Sequence, residues 1–146
     1  MKNITLNFYI MNYTVQNLTQ VADCDVLLSW AQKEKADLTF RKLSVERLTD
    51  RYAETSVEVA TQLQGVIAEL AAVDSYIAIL PDGPIKDEAV DKKTRLEYKK
   101  FLLEGRVESY GVVALLEKQM DLGRVEQEIA EVDAFVAAVE ARKAAL

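Results

Sequence analysis

A run of acidic residues near the end of the chain is the pattern that comes closest to a metal site. Carboxylates bind divalent cations, but metal sites in helical bundles usually combine Glu-x-x-His motifs from facing helices. The sequence contains no histidine, which also removes the commonest general base near neutral pH. We therefore interpret the run as a solvated helix face and expect no metal and no cofactor. Its members are Glu126, Glu128, Glu131 and Asp133.

Cysteine chemistry is equally limited. Cys24 is the only cysteine, and one thiol can form neither an internal disulfide nor a zinc site. A nucleophilic thiol needs a base beside it, so we predict a buried or neutral thiol. There is no glycine-rich phosphate loop, and residues 82–88 lack the spacing of a calcium loop. The sequence therefore predicts no catalytic residues, and we expect that the protein is not an enzyme.

The composition indicates a helical protein. Of 146 residues, 50% are hydrophobic and only five are glycine and two proline, which leaves little of the chain for turns. The net charge of −6 argues against nucleic acid and anionic lipid as partners. No apolar stretch approaches the ~20 residues that a membrane span requires. Without a secretion signal we expect cytoplasmic synthesis, and the final location remains open.

Two long helices and one turn account for most of the chain, which we assign to one domain. Thr19 can cap the start of the first helix, which we predict over residues 19–80. Pro81-Asp-Gly-Pro84 then ends it, because proline lacks an amide hydrogen and disfavours helix before it. We predict a turn over residues 81–87 and a second helix over residues 88–144.

Apolar residues recur every seven positions along the first helix, as in coiled coils. The spacing changes near Tyr52, in the manner of a four-residue stutter. The second helix loses phase between Gly111 and Lys118. Gly105, Gly111 and Gly123 either mark bends or close approach of another helix, or are tolerated small residues. The repeating residues of the first helix are Leu38, Val45, Tyr52, Val59, Val66, Val73 and Leu80.

The second half of the chain also resembles the first. Residues 96–104 echo residues 38–46, and residues 128–137 echo residues 69–78, with an offset that changes from 58 to 59. A one-residue slip turns a helix face by about 100°. Internal duplication and convergence of two amphipathic helices both remain open.

Charge predicts how the two helices pair. Residues 33–47 and 91–106 are net basic, whereas residues 50–76 and 117–140 are net acidic. Only an antiparallel arrangement sets each basic beginning beside an acidic end. We therefore predict an all-α fold: a long antiparallel two-helix coiled-coil hairpin with a short strand-like N-terminal extension.

The N-terminal extension, residues 1–18, alternates apolar and polar side chains in its first part. This period of two, with β-branched and aromatic residues, is typical of a strand. A lone strand needs a partner. The alternatives are a disordered tail, or an upstream stretch that precedes a working start at Met11.

The predicted register places Leu146 beside about Val26, so that residues 1–25 have no partner within the chain. Trp30 lies close to other apolar residues there and suits an interface anchor, although a local core is an equal alternative. Our hypothetical interface consists of Ile4, Leu6, Phe8, Ile10, Val26, Leu27 and Trp30.

These features favour a chain that forms a homo-oligomer or docks into a larger protein assembly, such as a filament, virion or secretion-type apparatus. A two-helix hairpin buries one narrow stripe per helix, and Leu43, Leu102, Leu115 and Leu116 fall outside it. The alternative is an adaptor or chaperone that binds a partner along the hairpin. In length and in its two helices the chain resembles prefoldin, but residues 81–88 are too few for β-hairpins between the helices.

Overall fold

The structure, a computed structural model, describes residues 11–146. Its elements are helical throughout, and residues 11–146 contain no strand. The prediction of an all-α fold is confirmed. A short 3-10 helix, Val15–Asn17, precedes three α-helices: α1 (Val21–Ile79), α2 (Pro84–Tyr110) and α3 (Val112–Ala144).

The helix bounds differ from the prediction mainly in the second half. α1 begins two residues later and ends one residue earlier than expected. α2 begins at Pro84 rather than at residue 88, and Gly111 separates it from α3 where the sequence predicts one continuous helix. The alternating residues that predicted a strand lie outside the described residues. The described part of the N-terminal extension contains the 3-10 helix instead.

The turn between α1 and α2 follows from its sequence. Gly83 adopts a φ of 152°, a conformation that glycine reaches without steric cost. Pro84 occupies the first position of α2, where its missing amide hydrogen costs nothing. Lys86 Nζ lies 2.9 Å from Asp82 Oδ1, and this hydrogen bond lowers the pKa of Asp82. The chain therefore ends one helix and starts the next within four residues.

The described chain groups into two compact units. Unit 1 joins the residues up to Glu46 with Asp121–Leu146, and unit 2 is Arg47–Met120. We call the buried residues that recur every seven positions the seam. In unit 1 the seam contains Cys24, Ala31, Val125 and Val139. In unit 2 it contains Val59, Val66, Val73, Ala89, Leu96 and Leu103.

Within unit 2 the seam residues of α1 and α2 form a single apolar cluster. Asp74 pairs with Lys93 at 2.6 Å, and the rings of Tyr52 and Tyr110 lie 5.2 Å apart. Apolar, charged and aromatic contacts therefore all join α1 to α2 in unit 2.

Ion pairs also join α1 to α3 within unit 1. Lys42 Nζ lies 3.2 Å from Glu126 Oε1, and Lys143 pairs with Asp25. The predicted register sets Lys143 beside residue 29 of α1, whereas in the structure it pairs with Asp25. The difference of four residues is about one helical turn.

Gly111 lies where the seam changes phase. Continuing the seam of α2 from Leu96 and Leu103 by seven leads to residue 110, whereas counting back from Val125 leads to residue 111. One residue has therefore been inserted into the repeat. Gly111 absorbs it in an extended conformation, with φ −80° and ψ −168°, and its amide donates to the Val107 carbonyl oxygen at 2.7 Å. A Cβ on Gly111 would lie 2.3 Å from that oxygen.

We expect Gly111→Ala to destabilise the protein by about 1–3 kcal/mol, because the added methyl group forces the backbone at Val107 to move. Urea unfolding followed by circular dichroism measures this free energy. Gly65→Ala is the matched control. A Cβ on Gly65 meets nothing within 4 Å, so alanine there should stabilise α1 by up to ~1 kcal/mol. Equal stability of wild type and Gly111→Ala would contradict this explanation of the break.

Candidate functional site

Each member of the acidic run on α3 has its own partner in unit 1. Glu126 and Glu128 pair with Lys42 and Arg41. Asp133 pairs with Lys35, and Glu131 accepts from the N-terminal segment. Hydrogen bonding to Glu126 raises the pKa of Lys42. These carboxylates therefore contribute to helix pairing.

Cys24 is fully buried in the seam of unit 1, in agreement with the predicted buried thiol. Among residues 11–146, no three His, Cys, Asp or Glu side chains are arranged to hold a metal ion. Buried side-chain nitrogen and oxygen atoms in this part of the chain all have hydrogen-bond partners. No described polar group therefore points to a bound ligand.

The N-terminal segment, residues 11–18, is held against the second half of α3 by polar contacts. Glu131 accepts hydrogen bonds from the Met11 backbone amide at 3.2 Å and from the Tyr13 hydroxyl. Arg142 Nε donates to the Leu18 carbonyl oxygen at 2.9 Å. The expectation that residues 1–25 have no partner within the chain is therefore wrong for the described part of that range.

An aromatic cluster adds to these contacts. The ring of Tyr13 meets that of Phe135 edge to face at 5.0 Å, and Trp30 meets the same ring at 5.8 Å. Edge-to-face pairs of this kind are worth about 0.5–1.5 kcal/mol beyond their buried area. Phe135 belongs to the repeated segment 128–137, but the sequence did not indicate its contact with Tyr13. Apolar side chains in residues 11–18 do not recur at helical spacing, so no pattern shows where this segment packs.

The proposed interface residues are placed in three different ways. Ile4, Leu6, Phe8 and Ile10 lie outside the described residues. Val26 is 68% exposed, and Leu27 is half-buried. Trp30 packs on Phe135 yet remains 52% exposed, so it contributes to a local cluster and still presents a large surface.

Trp30 also borders an open groove of about 370 Å³ in unit 1. Its apolar lining includes Leu38, Val132 and Phe135, and its acidic side chains are Glu34, Glu128 and Glu131. Such a groove fits an apolar side chain with a basic neighbour.

A second exposed apolar surface lies in unit 2, on α2 and the beginning of α3. We call it the outer stripe. The sequence placed Leu102 and Leu116 outside the stripe of the hairpin and favoured core packing for Tyr98 and Phe101. Within α2 and within α3 the members are one to four residues apart, whereas ten residues separate Leu102 from Val112. Each member is between 49% and 73% exposed. The members are Tyr98, Phe101, Leu102, Val112, Val113, Leu116 and Met120.

Comparisons with protein-family models, with curated proteins and with solved structures gave no match. Within residues 11–146, the helices lack an apolar stretch of the length that would cross a bilayer.

The contact between Tyr13 and Glu131 predicts a specific alkaline transition. Hydrogen bonding to Glu131 raises the pKa of Tyr13 above its ordinary value of 10.0. The contact therefore stabilises the fold at pH values below 10 and is lost as the pH rises through the higher folded pKa. The difference between the 295 nm titrations of wild type and Tyr13→Phe should have its midpoint above 10.

Glu131→Gln is the matched variant for this titration, because Glu131 is the group that raises the pKa of Tyr13. In the Glu131→Gln background the midpoint of the Tyr13→Phe difference curve should fall. An unchanged midpoint would contradict the contact between Tyr13 and Glu131.

Proposed function

We propose that this protein is a non-enzymatic assembly unit, built as an antiparallel two-helix coiled-coil hairpin, that self-associates or docks into a larger protein complex such as a filament, virion or secretion-type apparatus. The observation that supports this proposal best is the outer stripe of unit 2. Exposed apolar patches of this extent usually mark interaction surfaces in soluble proteins.

The narrow seam gives a physical reason for assembly. In unit 2 it consists mostly of single valine and leucine side chains, each worth about 1.5–3 kcal/mol when buried. The large aromatic side chains Phe40, Tyr98 and Phe101 lie outside it and are exposed. Further burial of apolar surface is therefore available only through a partner.

The hairpin part of the proposal draws on the ion pairs of each unit. Lys35 pairs with Asp133 in unit 1 and Lys93 with Asp74 in unit 2, which supports segments that run in opposite directions. These side chains are about half exposed, so each pair contributes under ~1 kcal/mol. Their value is in selecting the direction of pairing, as in coiled coils.

The N-terminal region is the second proposed contact surface. Val26 and Trp30 border a shallow groove together with Asp25, Ser29 and Lys33. Both apolar residues are more than half exposed. A central aromatic anchor with a polar rim is typical of interface hot spots.

Sedimentation of the full chain tests the proposal. We expect a mass of at least a dimer at micromolar concentration, and a stable monomer would contradict assembly. Val26→Glu should lower the average mass, because it places a charge at the N-terminal contact. Val57→Glu is the matched control, since Val57 is 69% exposed against 68% for Val26 and lies outside both proposed surfaces. Equal effects of the two substitutions would remove the N-terminal region from the proposal.

The alternative is an adaptor or chaperone that binds a partner along the hairpin. The acidic, apolar groove beside Trp30 and Phe135 favours this alternative, because it suits a basic and apolar peptide segment. Deletion of residues 1–10 separates the two functions. If the protein is an assembly unit, the deletion should remove the higher oligomers seen by sedimentation. If it is an adaptor, the sedimentation mass of the chain and its binding to the partner protein should not change.

A further inference from the structure

The outer stripe lies on the side of α2 that faces away from the seam. Tyr98 is two residues after the seam residue Leu96, and Phe101 is two residues before Leu103. Since each residue turns an α-helix by 100°, both side chains point about 160–200° away from the seam.

The stripe continues in phase on α3 because of the residue inserted at Gly111. Gly111 and Lys118 precede the seam residue Val125 by fourteen and seven residues, so they mark the seam side of this part of the chain. Val113 follows Gly111 by two residues, Leu116 precedes Lys118 by two, and Met120 follows it by two. The break therefore keeps the outer surface aligned as well as the inner one. Without it, the stripe of α3 would be turned by about 100° relative to that of α2.

The two edges of the stripe on α2 carry opposite charge. Lys92, Lys99 and Arg106 follow the seam residues of α2 by three positions and line one edge. Glu97 and Glu104 follow them by one position and line the other edge. On a helix these offsets are about 300° and 100° from the seam, with the stripe between them.

The basic edge is unused within the described chain. Lys92, Lys99 and Arg106 form no ion pair with any of residues 11–146. The acidic edge makes only contacts within α2, from Lys93 to Glu97 at 3.9 Å and from Lys100 to Glu104 at 3.6 Å. Both edges are therefore accessible to a partner.

We propose that the outer stripe is the interface of a parallel, two-fold symmetric dimer of this chain. The proposal deepens the assembly function proposed above and rests on it. A two-fold axis parallel to the helices sets the basic edge of each copy against the acidic edge of the other. Lys99 then lies within two residues, about 3 Å of helix rise, of the height of Glu97 of the other copy. An antiparallel dimer would set basic edge against basic edge.

The size of the stripe agrees with a dimer. With roughly 150–200 Å² of surface per large side chain, the seven exposed fractions correspond to about 650–860 Å² per copy when a partner covers all of them. A standard stable interface buries about 800 Å² per partner. The stripe alone therefore supplies an interface of ordinary size.

Gly105 leaves room for a helix partner at this surface. Glycine inside a helix costs about 0.5–1 kcal/mol relative to alanine. Within the described chain nothing uses the missing side chain, since a Cβ on Gly105 would meet nothing within 4 Å. Gly105 lies on the stripe between Phe101 and Met120, where the absent side chain lets a second helix approach closely.

Sedimentation equilibrium of full-length Phe101→Glu tests the interface. Phe101 is 68% exposed, so the helicity of each copy should be unchanged while the dimer dissociation constant rises at least ten-fold. Val57→Glu, equally exposed on α1, should leave the constant unchanged. A wild-type monomer would overturn both this proposal and the assembly function. A wild-type oligomer that Phe101→Glu leaves intact would overturn the dimer interface alone.

Charge reversal tests the edges without touching the apolar stripe. At low salt, Lys99→Glu with Arg106→Glu should weaken the dimer at least several-fold, since both edges are then acidic. Adding Glu97→Lys and Glu104→Lys to the same chain should restore the wild-type constant. Failure of the second pair to restore it would overturn the charge pairing on which the proposal depends.

A cysteine at position 87 tests the parallel direction. Asp87 precedes the seam residue Ala89 by two positions and so lies on the stripe side of α2. Asp87→Cys should give a disulfide-linked dimer under mild oxidation, and buried Cys24 does not compete. Gln64→Cys, two residues before Val66 on α1, is the control and should stay unlinked. An intact dimer in which Asp87→Cys does not cross-link would overturn the parallel arrangement.

Discussion

Phase along the seam is the constraint that the rest of the structure depends on. α1 buries small apolar side chains at seven-residue spacing, Cys24 and Ala31 in unit 1 and Val59, Val66 and Val73 in unit 2, and the helices packed against it have to match this spacing. Between Leu103 of α2 and Val125 of α3 the chain contains one residue more than a seven-residue repeat allows. Gly111 accommodates the additional residue by leaving the helical conformation. Its amide donates to the Val107 carbonyl oxygen, so close that a Cβ at this position would collide with it. The break thus restores the packing of both helices without a change in α1.

Apolar and charged contacts have different roles in this arrangement. The seam supplies the free energy of folding, since each buried valine or leucine is worth about 1.5–3 kcal/mol. Exposed pairs such as Lys35 with Asp133 add little, but they favour one direction of pairing over the other. The same division extends to the outer stripe, where apolar side chains would supply affinity and the charged edges would select a parallel partner.

The sequence predicts much of the helical part of the fold. Pro81 and Gly83 ended α1 within one residue of the observed bound, and the seven-residue spacing predicted the burial of Val59, Val66 and Val73. The loss of phase after Gly111 was also visible, but a phase change does not tell whether the helix bends, unwinds or breaks. The close approach of Gly111 to the Val107 oxygen, which decides this, exists only in the folded backbone.

The candidate site was less predictable. The contacts of Tyr13 with Glu131 and Phe135 join residues almost the whole chain apart, and no periodicity reports them. A register error of one helical turn left residues 22–25 without partners in the prediction, whereas Met11 and Leu18 obtain theirs from α3. The contact of Trp30 with Phe135 follows from the true register only. Exposure on the outer stripe likewise became clear once the seam of α2 was fixed.

Zero-length cross-linking of the full chain with a carbodiimide tests the pairing of the helices most directly, because it joins only lysines and carboxylates that touch. We expect links from Lys35 to Asp133, from Lys93 to Asp74 and from Lys143 to Asp25 within single chains, identified by mass spectrometry of a mixture of light and heavy protein. Absence of all three, together with links between residues 33–47 and 91–106, would contradict the account.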